Sequence, residues 1–100
     1  MKCVTIVYPN KPDARFDFDH YLQKHIPMAK ALFGQGFRIQ RGVQAAAGGT
    51  IPFVCVLTIE IESTEKFLST ITGERGAELL ADMPNYTNIE PVVQIDEIVA

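Results

Sequence analysis

The sequence has no tryptophan, only two serines, two histidines and two cysteines, and no run of basic residues. Nine Lys and Arg are outnumbered by twelve Asp and Glu, for a net charge of −3. That balance leaves no electropositive footprint for nucleic acid. No apolar stretch approaches the roughly 20 residues that span a bilayer; the longest apolar run with strand character is Phe53 to Leu57. The opening residues lack the basic start, apolar core and small-residue cleavage site of a signal peptide. Two cysteines, Cys3 and Cys55, suit a reducing compartment better than a disulfide framework, so a cytoplasmic protein is expected. Gly34-Gln35-Gly36 leads into Arg38-Ile39 and is no dinucleotide fingerprint. Phosphate loops, C-x-x-C and H-E-x-x-H are absent as well. No metal and no cofactor is expected, which favours cofactor-free chemistry or simple binding. Ser63 and Ser69 have nothing that places them near a histidine, so a serine triad has no support.

What is present suits one domain over residues 1–100. Hydrophobic residues make up 47% and charged residues 21%, the balance of an ordinary globular protein. The order reads strand, helix, strand, strand, helix, strand. The first strand is predicted over Lys2–Tyr8, stopped by Pro9-Asn10. A first helix begins near Asp17 or Asp19, either of which can cap it. It carries Phe18, Tyr21, Leu22, His25, Ala29 and Leu32 on one stripe. Pro27 predicts a kink, because it lacks an N–H and crowds the Gln23 carbonyl, and Gly34 and Gly36 end the helix. Strand two is predicted over Phe37–Ala46, with a bend at Gly48-Gly49, and strand three over Phe53–Glu62. Ser63 caps a second helix whose stripe is Phe67, Leu68 and Ile71. Gly73 and Gly76 are expected to break it, with a further piece over Glu74–Asp82 and a last strand over Glu90–Val99.

This order predicts an α+β, ferredoxin-like βαββαβ domain with a four-stranded antiparallel sheet. On strand three, Phe53, Cys55, Leu57, Ile59 and Ile61 form one apolar face, while Val54, Val56 and Thr58 form the centre of the other. Strand one sets Cys3, Thr5 and Val7 against Val4, Ile6 and Tyr8. One layer of helices covers only one sheet face. A second copy of the sheet is the simplest cover for the other, so a homodimer through the sheet faces is expected. Both cysteines read as inert buried thiols too far apart to pair.

Few residues can carry chemistry. His25 follows Tyr21 by four positions and shares its apolar helix face. Its ordinary pKa near 6.5 suits a general acid or base at the rim of a cavity; it equally reads as a buried histidine satisfied by a carbonyl or a water. His20 falls well round the helix and reads as a surface residue. Tyr8, Tyr21 and Tyr86 each offer a phenol to a ligand, or serve as amphipathic residues at the core edge. Asp82, Asn85 and Tyr86 cluster after the second helix, either lining a pocket or forming a Pro-Asn turn with local capping.

The run Phe16-Asp17-Phe18-Asp19-His20-Tyr21-Leu22-Gln23-Lys24-His25-Ile26-Pro27-Met28 resembles the first-helix signature of the EthD family, linked by name to ethyl tert-butyl ether degradation. Val7-Tyr8-Pro9-Asn10 is similar to that family too. So is Ala81-Asp82-Met83-Pro84-Asn85-Tyr86-Thr87-Asn88-Ile89-Glu90-Pro91 ahead of Gln94-Ile95. The resemblance spans essentially the whole chain, in order. It implies a ferredoxin-like subunit that pairs into a dimeric α+β barrel. The wider superfamily holds cofactor-free monooxygenases, aromatic polyketide cyclases and muconolactone isomerases, with pockets between sheet and helices. The family's His-x-Pro-Met/Leu motif maps onto His25, Pro27 and Met28, and its paired tyrosines onto His20 and Tyr21. The expected function is therefore binding of a small apolar organic compound. It is either acted on by a cofactor-independent oxidoreductase of monooxygenase type, or an isomerase or cyclase, with His25 as general acid or base and Tyr8, Tyr21, Asp82, Asn85 and Tyr86 as ligand-binding residues; or it is held without chemistry by an accessory protein of an oxygenase system. A scaffold with a filled core is the third possibility.

Overall fold

Strand β1 (Lys2–Pro9) runs through the middle of the sheet in this computed structural model, which describes residues 1–100. The helical segment that follows comprises α1 (Phe18–His20), a π-helical turn (Tyr21–His25) and α2 (Ile26–Phe33). Then come β2 (Phe37–Arg41), β3 (Phe53–Ile61), α3 (Thr64–Ile71), α4 (Glu74–Ala81), a 3₁₀ turn (Met83–Asn85) and β4 (Val92–Glu97). The sheet order is β2-β3-β1-β4 and every pair is antiparallel. This is the ferredoxin-like α+β arrangement that the order of elements predicts.

Register decides the two faces. Val4, Ile6 and Tyr8 lie opposite Ile59, Leu57 and Cys55 of β3, and Phe37 and Ile39 of β2 continue the same rows. With Tyr21, Ile26, Phe67, Tyr86 and Ile89 these residues form the core between sheet and helices. Cys3 pairs with Glu60 and Asp96 on the other face. The two thiols are thus on opposite sides of the sheet, and both are free and buried.

Three expectations are corrected, and a fourth, at Pro27, is given its form. Strand two ends at Arg41, not Ala46. Gly42 donates to the Val54 carbonyl, and the chain before β3 turns to Asn10 instead, whose N–H and side-chain amide bond Pro52 and Ile51. Residues 43–46 therefore have no strand to pair with. The last strand spans Val92–Glu97 rather than Glu90–Val99, because its partner β1 faces it only from Lys2 to Val7. The distortion expected at Pro27 takes the form of a π-helical turn. The preceding turn widens, and the Ile26 N–H reaches back to the Tyr21 carbonyl. An i→i+5 turn relieves the crowding that a proline ring imposes on the carbonyl four residues earlier. Finally, the second helix breaks at Thr72-Gly73 only. Gly76 is helical and buried inside α4.

Candidate functional site

Three segments bring the site together. Asp17 caps α1 by accepting the His20 N–H at 3.1 Å, which starts the helix that carries Tyr21 and His25. Loop residues 11–17 are laced to residues 84–88. The Asp17 N–H donates to the Tyr86 carbonyl at 2.7 Å, the Thr87 hydroxyl to the Arg15 carbonyl at 2.7 Å, and the Asn88 amide to the Asp13 carbonyl at 2.8 Å. These bonds seat Tyr86 under the first helix. The end of α4 supplies Asp82, one residue before the 3₁₀ turn that carries Asn85.

His25 is 6% exposed. Its Nδ1 lies 3.0 Å from Asp82 Oδ2. A carboxylate only accepts, so Nδ1 carries the proton and donates it, leaving Nε2 bare. The Tyr86 hydroxyl lies 3.5 Å from that bare nitrogen, and the hydroxyls of Tyr86 and Tyr8 share a hydrogen bond of 2.8 Å. Tyr21 stacks on His25, with ring centroids 5.6 Å apart and planes 16° apart. Phe16 packs edge-on against Tyr8, Tyr21 and Tyr86, and Arg41 lies over Phe18 at 4.6 Å.

Electrostatics set the protonation states. Burial holds the His25 imidazole below its usual pKa of 6.5, against the hydrogen bond and charge of Asp82, which pull it up. Burial alone would raise Asp82; donors from Asn85, His20 and His25 outweigh it and leave the carboxyl below its ordinary range. Burial raises the phenols of Tyr8, Tyr21 and Tyr86 and pushes the Cys55 thiol up to about 11. At neutral pH the site is a neutral imidazole and three neutral phenols with one carboxylate behind them. No three ligand-type side chains are grouped to hold a metal ion.

All six residues singled out in the sequence meet here. His25, Tyr8 and Tyr86 form one hydrogen-bonded chain, with Asp82 at its far end and Asn85 donating to Asp82 at 3.0 Å. Tyr21 joins by stacking, not by a hydrogen bond. Its hydroxyl is fully buried and has no partner. The principal cavities lie elsewhere: one of 240 Å³ between α2, β3 and α3, one of 330 Å³ between α2 and α4, and one of 300 Å³ beside Arg41. None of them is lined by these six residues.

The residue that sequence reasoning missed is His20. Instead of facing solvent freely, it places Nε2 3.0 and 3.2 Å from the two oxygens of Asp82. Five residues of regular α-helix would set His20 and His25 about 140° apart. The π-helical turn brings them round to one carboxylate. No pattern in the sequence links positions 20 and 82, which are 62 residues apart.

The unpartnered hydroxyl makes Tyr21→Phe informative. Removing a buried group that has no partner is expected to leave stability unchanged or to raise it by up to about 1 kcal/mol. Urea unfolding measures this, and a loss of about 1 kcal/mol or more would show that the hydroxyl is bonded.

No protein-family model and no curated protein matches the chain. Solved structures do. An EthD-like protein from Ralstonia eutropha JMP134 is 37% identical, with a TM-score of 0.88 over 99% of this chain and 92% of that one. An ethyl tert-butyl ether degradation (EthD) family protein from Bacillus halodurans C-125 is 18% identical, with a TM-score of 0.72 over 99% of both chains. HapK from Hahella chejuensis, 19% identical with a TM-score of 0.61 over 100% of this chain and 95% of that one, shares the fold. With more than a third of its residues identical to the Ralstonia protein along nearly its whole length, the chain belongs to the EthD family.

Proposed function

We propose that the protein is a homodimeric, cofactor-independent enzyme that moves a proton on a small, mostly apolar organic compound. The Asp82–His25 pair carries this reading: the carboxylate fixes the imidazole tautomer, and Nε2 is left bare among phenols. Nε2 takes a proton from an acidic O–H or C–H of the compound. The imidazolium so formed is stabilised by Asp82, and the developing oxyanion accepts hydrogen bonds from the hydroxyls of Tyr21 and Tyr86. In an isomerisation or cyclisation the proton returns from Nε2 to another atom. In an oxygenation the deprotonated compound is oxidised by dioxygen, which is reduced in the same step.

A second reading uses the same residues. It is an accessory protein that holds a compound without transforming it; in either reading the fully buried rings of Tyr21 and Tyr86 must move to admit the compound. A screen of phenols and enolisable ketones, incubated with the protein alone under air and without air, separates the two. Turnover supports the enzyme. Saturable binding without turnover replaces it with the accessory reading, and neither result leaves only a scaffold.

The homodimer rests on the sheet face away from the helices. Val7, Val56 and Val92 form one row across three strands there, with Val54 beside them, and Val92 is 55% exposed. Val56→Asp would bury a charge at the centre of the paired sheets. It is expected to weaken self-association at least about a hundredfold, the equivalent of about 2.8 kcal/mol. Sedimentation velocity reads this directly; a wild type that sediments as a monomer would refute the pairing.

A further inference from the structure

We propose that His20 is a positioning residue: it clamps Asp82 so that the carboxylate keeps His25 protonated on Nδ1, with Nε2 free toward Tyr86. The inference rests on the acid–base reading of His25 and deepens it.

Asp82 accepts from three side chains. Asn85 lies three residues on, in the turn that Asp82 itself begins, so it moves with Asp82 and ties it to nothing else. His25 reaches only Oδ2. His20 reaches both oxygens, at 3.0 and 3.2 Å, from the first helix. Without it, one bond would join the carboxylate to that helix, and torsion about the Asp82 side chain could carry Oδ2 away. The His20 side chain is 27% exposed and that of Asp82 13%, so water would compete for the released carboxylate.

His20 is itself held on two sides. Its backbone N–H is bonded to the Asp17 carboxylate. Its ring lies nearly parallel to Tyr86, 19° off at 6.4 Å. Tyr86 is also the residue whose hydroxyl approaches His25 Nε2. One imidazole therefore braces both ends of the other, the carboxylate on Nδ1 and the phenol on Nε2.

The test is long-range ¹H–¹⁵N NMR of the His25 ring in the full chain at pH 7.5, which distinguishes the protonated from the bare nitrogen. Wild type is expected in the Nδ1–H form. His20→Phe keeps an aromatic ring against Tyr86 but has no N–H. It is expected to raise the proportion of the Nε2–H form about tenfold, the size expected for losing one hydrogen bond to a charged group. His20→Gln carries an amide nitrogen as far along the side chain as Nε2 and is expected to restore the wild-type ratio. The clamp is overturned if His20→Phe leaves the ratio unchanged, or if His20→Gln behaves like His20→Phe. Dispersed amide spectra confirm that both variants fold. A wild type already protonated on Nε2 is a different failure, since it sinks the acid–base reading before His20 is touched.

Discussion

Replacing His25 with glutamine is expected to lower turnover of any compound the site transforms by about 10²–10⁴-fold, the usual contribution of a positioned general base. Glutamine fills similar space, so the core around Tyr21 and Tyr86 stays packed, although its amide nitrogen lies as far along the side chain as Nε2 and not at the Nδ1 position that bonds Asp82. What disappears is a nitrogen that can take and release a proton near neutrality. The pH dependence identifies it. Burial depresses the imidazole pKa in the folded protein, so the base is in its active, neutral form at pH 7. The same shift couples folding to pH. The unfolded chain binds this proton near pH 6.5 and the folded one only at lower pH. Stability from this group is complete above about 6.5 and is lost as the pH falls through the folded value. His25→Gln removes that component and leaves the loss at still lower pH that comes from the depressed carboxyl of Asp82. Urea melts from pH 8 to 5 measure it. A wild type with no slope between 6.5 and 5 would mean that the ring is not held neutral.

Gly76→Ala is expected to destabilise the fold by about 3 kcal/mol, at the upper end of what overpacking costs, which for a domain of this size lowers Tm by roughly 12–24 °C. Helix propensity alone argues the reverse, because alanine in a helix interior is favoured over glycine by about 1 kcal/mol. Geometry decides the sign. A Cβ at Gly76 would lie 2.1 Å from the Ile71 carbonyl oxygen and 2.5 Å from its carbon, both backbone atoms that no side-chain rotation can move. Since Asp82 directly follows α4, the shift needed to admit a methyl group would also displace the carboxylate from His25 and His20. Thermal unfolding of the variant settles the matter, and a Tm at or above wild type would refute the tight elbow between α3 and α4.

Gly76 shows where sequence reading stops. A glycine at that spacing reads as a helix breaker, yet the chain stays helical there, and the missing side chain leaves room for the Ile71 backbone that the elbow brings against it. The first helix shows the same limit. Its apolar stripe and the capping Asp17 are visible in one dimension, and so is the conflict at Pro27. Whether that conflict resolves as a kink or a widened turn depends on what packs beneath, here Tyr86 and the core of the sheet. Because the turn widened, His20 left its expected surface place and joined Asp82.

The strand pattern and the order of elements followed from the sequence itself, as did the helix face shared by Tyr21 and His25 and the closeness of Asp82, Asn85 and Tyr86 along the chain. Alternation along a strand and turn residues between strands act over a few positions, and they specify sheet faces without help from the rest of the chain. Only the tertiary structure decided where strand two stopped, which imidazoles share Asp82, and that the Tyr21 hydroxyl has no partner. Each of these depends on contacts between residues far apart in the chain: Asn10 with Ile51 and Pro52, His20 with Asp82, Tyr21 within the ring cluster. Hydrogen-bond geometry is settled by tenths of an ångström, and no local pattern carries that information across 40 to 60 residues.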